Sequence, residues 1–366
     1  MKARILILGD LFPKNIKEYP KLPDNDFCVA NLECCITEKE DPIKKDGPSL
    51  KVSPEQADVL KGLGVNLVGL ANNHVLDYGL DGLKDTIEIL EKNKILYAGN
   101  SAMTSSIIEN INGVRCGFYF ISEHQYNYFE KEGVGVNLLE LDRCFNDVKE
   151  LKVNSDVVFV MFHGGKEYYE YPTPRQQDVC RKFVDSGADV VICQHSHCVG
   201  CEEKYKESTI LYGQGNFVFP YRDNKHFKSG LLTEALIEED GSVTLNYIPT
   251  VHEKPGVVEI APKDKVNNIL NSFYDRTNKL SKESSEAIYD LYVEKFGFDF
   301  LYKLFNKGKL YVRLDTSRFF KNRMMKKYIR KNQKYLLYLY NYFNCETHVE
   351  YIKKILNKQI KSEDKR

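Results

Sequence analysis

At 366 residues and 42% hydrophobic content, the chain is long enough to bury one large core with a smaller unit beside it. Formal net charge is zero, yet residues 1–262 hold 28 Lys and Arg against 40 Asp and Glu, and residues 263–366 hold 24 against 12; the acidic front suits cations, and the basic tail suits an anionic partner or docking onto the front. No run reaches the roughly 18–20 apolar residues of a membrane span, and Met1-Lys2 leads straight into strand residues with no cleavage-site pattern, so a cytoplasmic protein, at most peripheral at a membrane, is expected.

Arg4-Ile-Leu-Ile-Leu-Gly-Asp10 is a bounded apolar run ending on a carboxylate, the pattern of a strand buried on both faces. After a loop through Pro13, Pro20 and Pro23, a second such strand starts at Phe27 and ends at Asn31-Leu-Glu33. Residues 38–48 read as loop. Ser53-Pro-Glu-Gln starts a helix, with an N-cap, a proline at the first position and a capping-box glutamine, and Gly64 ends it. Val65 opens a third strand that delivers Asn72-Asn73-His74. A helix through Leu83, Ile87 and Leu90 and a strand at Ile95–Ala98 continue the βαβα rhythm of a layered α/β sheet. Ile107 to Phe120 reads as a hairpin about Asn112-Gly113, and Leu138–Leu151 as a helix. Val157–Phe162 is a strand ending at His163, Arg175–Ser186 a helix, and Asp189–Cys193 a strand ending at His195 and His197. Ser208 to Phe219 reads as one strand into a glycine turn, and 230–260 as two alternating segments about Asp240-Gly241. Beyond about residue 264 the texture changes, and 264–296, 298–306 and 318–361 are helix-patterned. The expected organisation is an α/β domain over 1–263 and a basic, mostly helical region over 264–366.

In open α/β folds, side chains just past strand ends converge on one edge of the sheet. Here those positions carry Asp10, Glu33, Asn73, His163, His195 and His197. Carboxylate oxygens combined with imidazoles are the ligand types of two-metal hydrolytic sites, where the ions polarise a phosphoryl group and activate water. A lone histidine after an apolar run is more often a hydrogen-bonded, partly buried side chain. Six matched positions on one sheet edge reverse that weighting. Two divalent ions are expected, and the oxygen and nitrogen donors admit Mn, Fe or Zn.

The segments Gly9-Asp10, Asn31-Leu-Glu33, Leu70-Ala-Asn-Asn-His-Val-Leu-Asp-Tyr-Gly79, His163-Gly-Gly-Lys-Glu167 with Tyr171-Pro172, His195-Ser-His197 and Tyr212-Gly-Gln-Gly-Asn-Phe-Val-Phe219 resemble, in order, the CapA family. These are capsule and poly-γ-glutamate synthesis proteins on the calcineurin-like metallophosphoesterase fold, a layered sheet sandwich flanked by helices. The Ala-Asn-Asn-His…Asp-Tyr-Gly block is specific, whereas His-Gly-Gly alone is not. The resemblance implies Asp10 and His197 on one metal, Glu33 bridging, and Asn73, His163 and His195 on the other. It makes His74 the proton donor, with Asp77 orienting it as such carboxylates do for an imidazole; a plain turn role before Tyr78-Gly79 is the alternative for Asp77. Asn72, Glu167 and Asn216 are expected to line the site, although glycine-turn chemistry alone also explains Asn216. One departure stands out: most calcineurin-like phosphoesterases have a histidine ligand two residues after the first aspartate, and this chain has Phe12.

Cys198-Val-Gly-Cys201 lacks the second CxxC of a zinc site, and no nucleophile elbow supports a serine hydrolase. Cysteines such as Cys28, Cys116 and Cys193 sit within apolar runs, as small core residues do. His124, His226, His252 and His348 lack ligand spacing and read as surface or core histidines. Arg318–Lys334 carries eight Lys and Arg, no acid, and interleaved Phe, Met and Tyr. Such a stretch can bind an anionic membrane surface or lie across the acidic body on its lysine stems; no nucleic-acid motif accompanies it, so no nucleic acid is expected. The expected function is a metal-dependent hydrolase cleaving a phosphoester or cell-envelope polymer precursor through a metal-activated hydroxide. The alternative is a non-enzymatic, metal-stabilised module of a polymer-synthesis complex.

Overall fold

A computed structural model of the chain describes residues 1–45, 47–100, 104–125, 135–220, 222–306 and 333–363. Its strands are, in chain order, β1 (Ala3–Leu11), β2 (Phe27–Leu32), β3 (Cys35–Ile36), β4 (Lys51–Val52), β5 (Leu67–Gly69), β6 (Leu96–Ala98), β7 (Ser106–Ile111), β8 (Val114–Ser122), β9 (Val157–His163), β10 (Val190–Gln194), β11 (Glu202–Tyr205), β12 (Ser208–Tyr212), β13 (Asn216–Val218), β14 (Ser229–Ile237), β15 (Val243–Lys254) and β16 (Val257–Ile260). The helices are α1 (Asp58–Gly62), α2 (Gly79–Lys92), α3 (Leu141–Asn154), α4 (Pro174–Asp185), α5 (Lys263–Lys282), α6 (Ser285–Asn306), α7 (Gln333–Asn344) and α8 (Glu346–Glu363).

Two sheets build the body, one ordered β16-β15-β14-β1-β2-β5-β6 with β13 also on β1, the other β11-β12-β10-β9-β8-β7. They pack face to face. Phe27, Phe118 and Phe159 stack across the interface at 5.7 and 5.2 Å, in a core that also takes Leu60 of α1 and Leu83 of α2. The outer face of the second sheet is covered by α3 and α4, whose Val148 and Phe183 close a second core over Val158 and Val191. β2, β9 and β10 are buried along their whole length, which is why their sequences run apolar instead of alternating. The fold is the layered α/β sandwich expected.

Several details differ from the expectations. The six strand-end positions do not share one sheet edge. β1, β2 and β5 are parallel neighbours in the first sheet, β9 and β10 in the second, and the C-terminal edges of both sheets meet over the site. Ser208 to Phe219 is not one strand. Gly213 and Gly215, at φ 114° and 69°, break it into β12 in the second sheet and β13 beside β1 in the first. The segment after Ser53 is a 3₁₀ turn over Pro54–Ala57 leading into the short α1. In the tail the break falls at Glu283 and Ser284, and Gly297 lies inside α6. Of the basic stretch Arg318–Lys334, all but its last two residues lie outside the described residues.

The tail helices return to the body. Arg276 of α5 donates to Val199 and Gly200 carbonyls at 2.8 Å, and Tyr247 meets Phe273 at 4.8 Å. All ten cysteines are free and buried. Among the described residues, no helix is long and apolar enough to cross a membrane.

Candidate functional site

Parallel pairing sets the site. β1 and β2 bring Asp10 opposite Asn31, and Asn31 donates its amide to Asp10 Oδ1 at 2.8 Å while lying 3.1 Å from His163 Nδ1. Glu33 follows directly, its backbone N–H held by Leu11 O. On the other sheet, β9 and β10 place His163 opposite Gln194. The chain then turns with His195 at φ 93° and His197 at φ 56°, conformations that side chains beyond glycine rarely adopt and that cluster at functional sites. The turn is pinned where His195 N–H donates to Asp10 Oδ2 at 3.1 Å.

His163 Nε2 lies 3.2 Å from His195 Nδ1, 3.0 Å from Asn73 Oδ1 and 3.8 Å from Glu33 Oε1. His197 Nδ1 lies 3.5 Å from Asp10 Oδ2 and 2.8 Å from Asn216 Oδ1. Two sets of donor atoms, each within 4.8 Å of one another, result: Glu33, His163 and His195, and Asp10, Glu33 and His197. Glu33 belongs to both.

Glu33 is fully buried and neither of its carboxylate oxygens has a hydrogen-bond partner. Burial first, then the carboxylates of Asp10, Glu167 and Asp77, push its pKa well up; burial also raises Asp10. Burial holds His163 well below the usual histidine range and takes His195 down to about 3, so both rings are neutral with lone pairs to give. A buried, partnerless carboxylate is expensive, and a divalent cation supplies the missing charge. The residues present therefore fit a metal cluster.

His74 stands beside it, with Nε2 3.9 Å from Glu33 Oε1 and Nδ1 2.7 Å from Asp77 Oδ2. Asp77 is fully buried; it accepts from Leu50 N–H at 2.6 Å and pairs with Lys45, whose Nζ also lies 3.2 Å from His74 Nδ1. Burial lowers the His74 pKa, Lys45 adding to this and Asp77 opposing it. Glu167 Oε1 lies 4.0 Å from His195 Nε2, at the rim. Asn72 and Asn216 are buried braces: Asn72 donates to Leu32 O at 2.8 Å and accepts from His74 N–H at 3.0 Å, and Asn216 fixes the His197 ring. Phe12 is buried with its ring edge-on to Phe219 at 5.5 Å, and Phe219 packs on His197 at 5.0 Å.

Asn31, Lys45 and Gln125, which meets Asn73 Nδ2 at 3.4 Å, are further site residues absent from the sequence expectations. Asn31 lies inside one of the strand-end motifs; Lys45 sits in a loop with no signal of its own. Cys198 is not in either donor set and instead contacts His226 Nδ1 at 3.1 Å.

Residues 14–221 match the model of a family described as bacterial capsule synthesis protein PGA_cap. The chain is 30% identical over 243 residues to the capsule biosynthesis protein CapA of Bacillus anthracis, covering 63% of this chain and 59% of that protein. It is 32% identical over 204 residues to the PGA biosynthesis protein CapA of Bacillus subtilis (strain 168), covering 53% of each; the match thus spans little more than half the length of these relatives. Among solved structures, a 5′-nucleotidase precursor from Thermus thermophilus is similar over 77% of this chain and 60% of that one, at 12% identity and a TM-score of 0.41.

Proposed function

Because the chain belongs to the bacterial capsule synthesis protein family PGA_cap, we propose that it is a metal-dependent hydrolase of the phosphoesterase type, acting on a phosphoester or cell-envelope polymer precursor in capsule or poly-γ-glutamate synthesis. Its catalytic body is residues 1–263, and 264–366 form an accessory region. The observation that carries the reading is Glu33, whose two oxygens have no hydrogen-bond partner and which belongs to both donor sets.

Asp10 and His197 would hold one ion, Asn73, His163 and His195 the other, with Glu33 shared; Mn, Fe and Zn all suit these donors. When bound, such ions polarise phosphoryl oxygens and lower the pKa of an attacking water. The chain supplies the rest. Asp77 accepts at His74 Nδ1 and so turns Nε2 toward the cluster; once the ring takes up a second proton there, which the Asp77 charge favours, Nε2 can hand it to a leaving oxygen. Lys45 balances the Asp77 charge. Asn31, by bonding Asp10 and facing His163, keeps the two sheets' donors in register. Asn216 fixes His197, and Glu167 at the rim meets the substrate.

His74 is not needed to hold a metal, so it separates the hydrolase from a structural module. With bis(p-nitrophenyl) phosphate as probe, His74→Ala is expected to lower kcat by about 10²–10⁴, the usual weight of a general acid, at unchanged metal content. Equal rates for wild type and variant refute the mechanism. The second reading, a non-enzymatic module of a polymer-synthesis complex, is favoured by one observation: the Phe12 ring packs against Phe219 where most calcineurin-like phosphoesterases have a ligand. In either reading, the basic tail is the surface proposed to meet a polymer-synthesis complex or an anionic membrane.

A further inference from the structure

The family match ends at residue 221, yet the tail reaches the site. The first turn of α8 is clamped to the end of β8 and to the loop after β9. Thr347 Oγ1 donates to Glu123, lying 3.0 and 2.8 Å from its two oxygens, and Glu123 Oε2 also accepts from Gly165 N–H at 2.9 Å. His124 Nδ1 meets Glu346 Oε1 at 2.7 Å. His348, which follows Thr347, is only 8% exposed. Its ring stacks on Tyr342 at 4.3 Å, and its Nδ1 is buried without a hydrogen-bond partner. Its neighbour Thr347 is tied through Glu123 to Gly165, two residues beyond the ligand candidate His163, so His348 lies beside the loop that carries Lys166 and Glu167.

Lys166 completes the pair. It is partly buried, and among the described residues its ammonium has no hydrogen bond or ion pair; it faces the Tyr351 ring of α8 at 5.9 Å. The neighbouring Glu167 turns its carboxylate to His195. Burial lowers the Lys166 pKa, with the neighbouring Glu167 carboxylate opposing it, which is the cost of a cation held partly out of water. A half-buried ammonium with no hydrogen-bonded acceptor and a buried imidazole nitrogen that can carry the ring's proton, on facing segments beside a reaction centre, can both donate to an oxyanion.

We propose that Lys166 and His348 form an oxyanion subsite, which takes a carboxylate or phosphate group of the substrate away from the reacting centre. The subsite rests on the hydrolase reading, since it is the metal cluster that defines where that centre lies. It also gives the tail a role: α8 completes the substrate pocket instead of only packing on the body.

The test is calorimetric titration of the full-length protein, at measured and matched metal content, with glutarate and with inorganic phosphate. Lys166→Met is expected to weaken at least one probe by about tenfold or more, as loss of a charge-assisted contact does. His348→Gln is expected to weaken the same probe several-fold, and Lys166→Arg to retain most of the affinity. Loss confined to glutarate assigns a carboxylate, loss confined to phosphate a phosphoryl group, and loss of both a seat for either. If Lys166→Met fails to fold, Lys166→Gln, which keeps the stem over Tyr351, replaces it. Unchanged affinities in the Lys166 and His348 variants, or a wild type that binds neither probe, overturn the subsite. Metal content is read separately, so a protein that binds these anions through Lys166 but holds no metal refutes the hydrolase reading and leaves the subsite standing.

Discussion

Glu33 is where a single side chain tests the account. In metal-free protein its two buried oxygens have no hydrogen-bond partner, and the carboxyl must either stay charged out of water or take up a proton; both cost stability. Glu33→Gln is therefore expected to raise the Tm of chelator-treated protein, by on the order of 2–4 °C per kcal/mol relieved. In metal-loaded protein the sign reverses, because the variant forfeits the stabilisation that a bound ion adds. A variant that melts lower in both conditions contradicts the bridging role. The ligand candidates were legible in sequence because each is a polar residue that stops an apolar run, a conspicuous position. Asn31 was harder to see as a site residue, since its role depends on the sheet pairing that sets it against Asp10 and His163. His348 reads in sequence as a surface or core histidine and is buried; nothing local to it reports a segment as distant in sequence as the loop that carries Lys166.

At the scale of elements, the site depends on where the chain leaves the second sheet after β12 and enters the first at β13. A Cβ on Gly9 would collide with the Gly215 carbonyl, next to Asn216, the residue that fixes His197. Gly9→Ala is accordingly expected to cost about 1–3 kcal/mol, the range for overpacking a close-packed interior, and to reduce metal content; thermal melting and elemental analysis check both. Wild-type melting with full metal content would show that this contact does not set the site. Strand existence was readable from bounded apolar runs, and the hairpin at Asp240-Gly241 from its turn residues. The split of Ser208–Phe219 was not, because Gly213 and Gly215 look the same in sequence whether they end a strand or carry it to a second sheet. For the same reason one edge was expected where two meet: buried strands of either sheet have the same apolar signature.

Across the whole molecule, the charge division between front and tail was legible, and helical texture after residue 264 matches α5 to α8; how α8 docks was not, because its contacts are single polar pairs of long sequence separation. One of them is pH-sensitive. The hydrogen bond to Glu346 raises the His124 pKa above its ordinary 6.5, so its contribution is full below about 6.5 and fades as pH rises through the raised folded value. Burial pushes Glu346 up, but His124 outweighs it and leaves the carboxyl below its ordinary 4.5; that contribution is present above 4.5 and fades as pH falls through the lowered value. For this pair, docking of α8 should thus be firmest between about 4.5 and 6.5; Glu123, which burial raises to about 7, likewise loses its contribution as pH rises. Hydrogen exchange of α8 amides, corrected for intrinsic rates, is expected to show less protection at pH 8.5 than at pH 5.5, with His124→Ala flattening the difference; an unchanged difference in the variant assigns it elsewhere. The central claim, a two-ion centre shared between the sheets, is tested most directly by elemental analysis of protein purified without a metal-binding tag, beside His195→Ala. Close to two transition-metal ions per chain, falling in the variant, is the expected result. No bound metal in the wild type, even after reconstitution with Mn²⁺ or Zn²⁺, would contradict it.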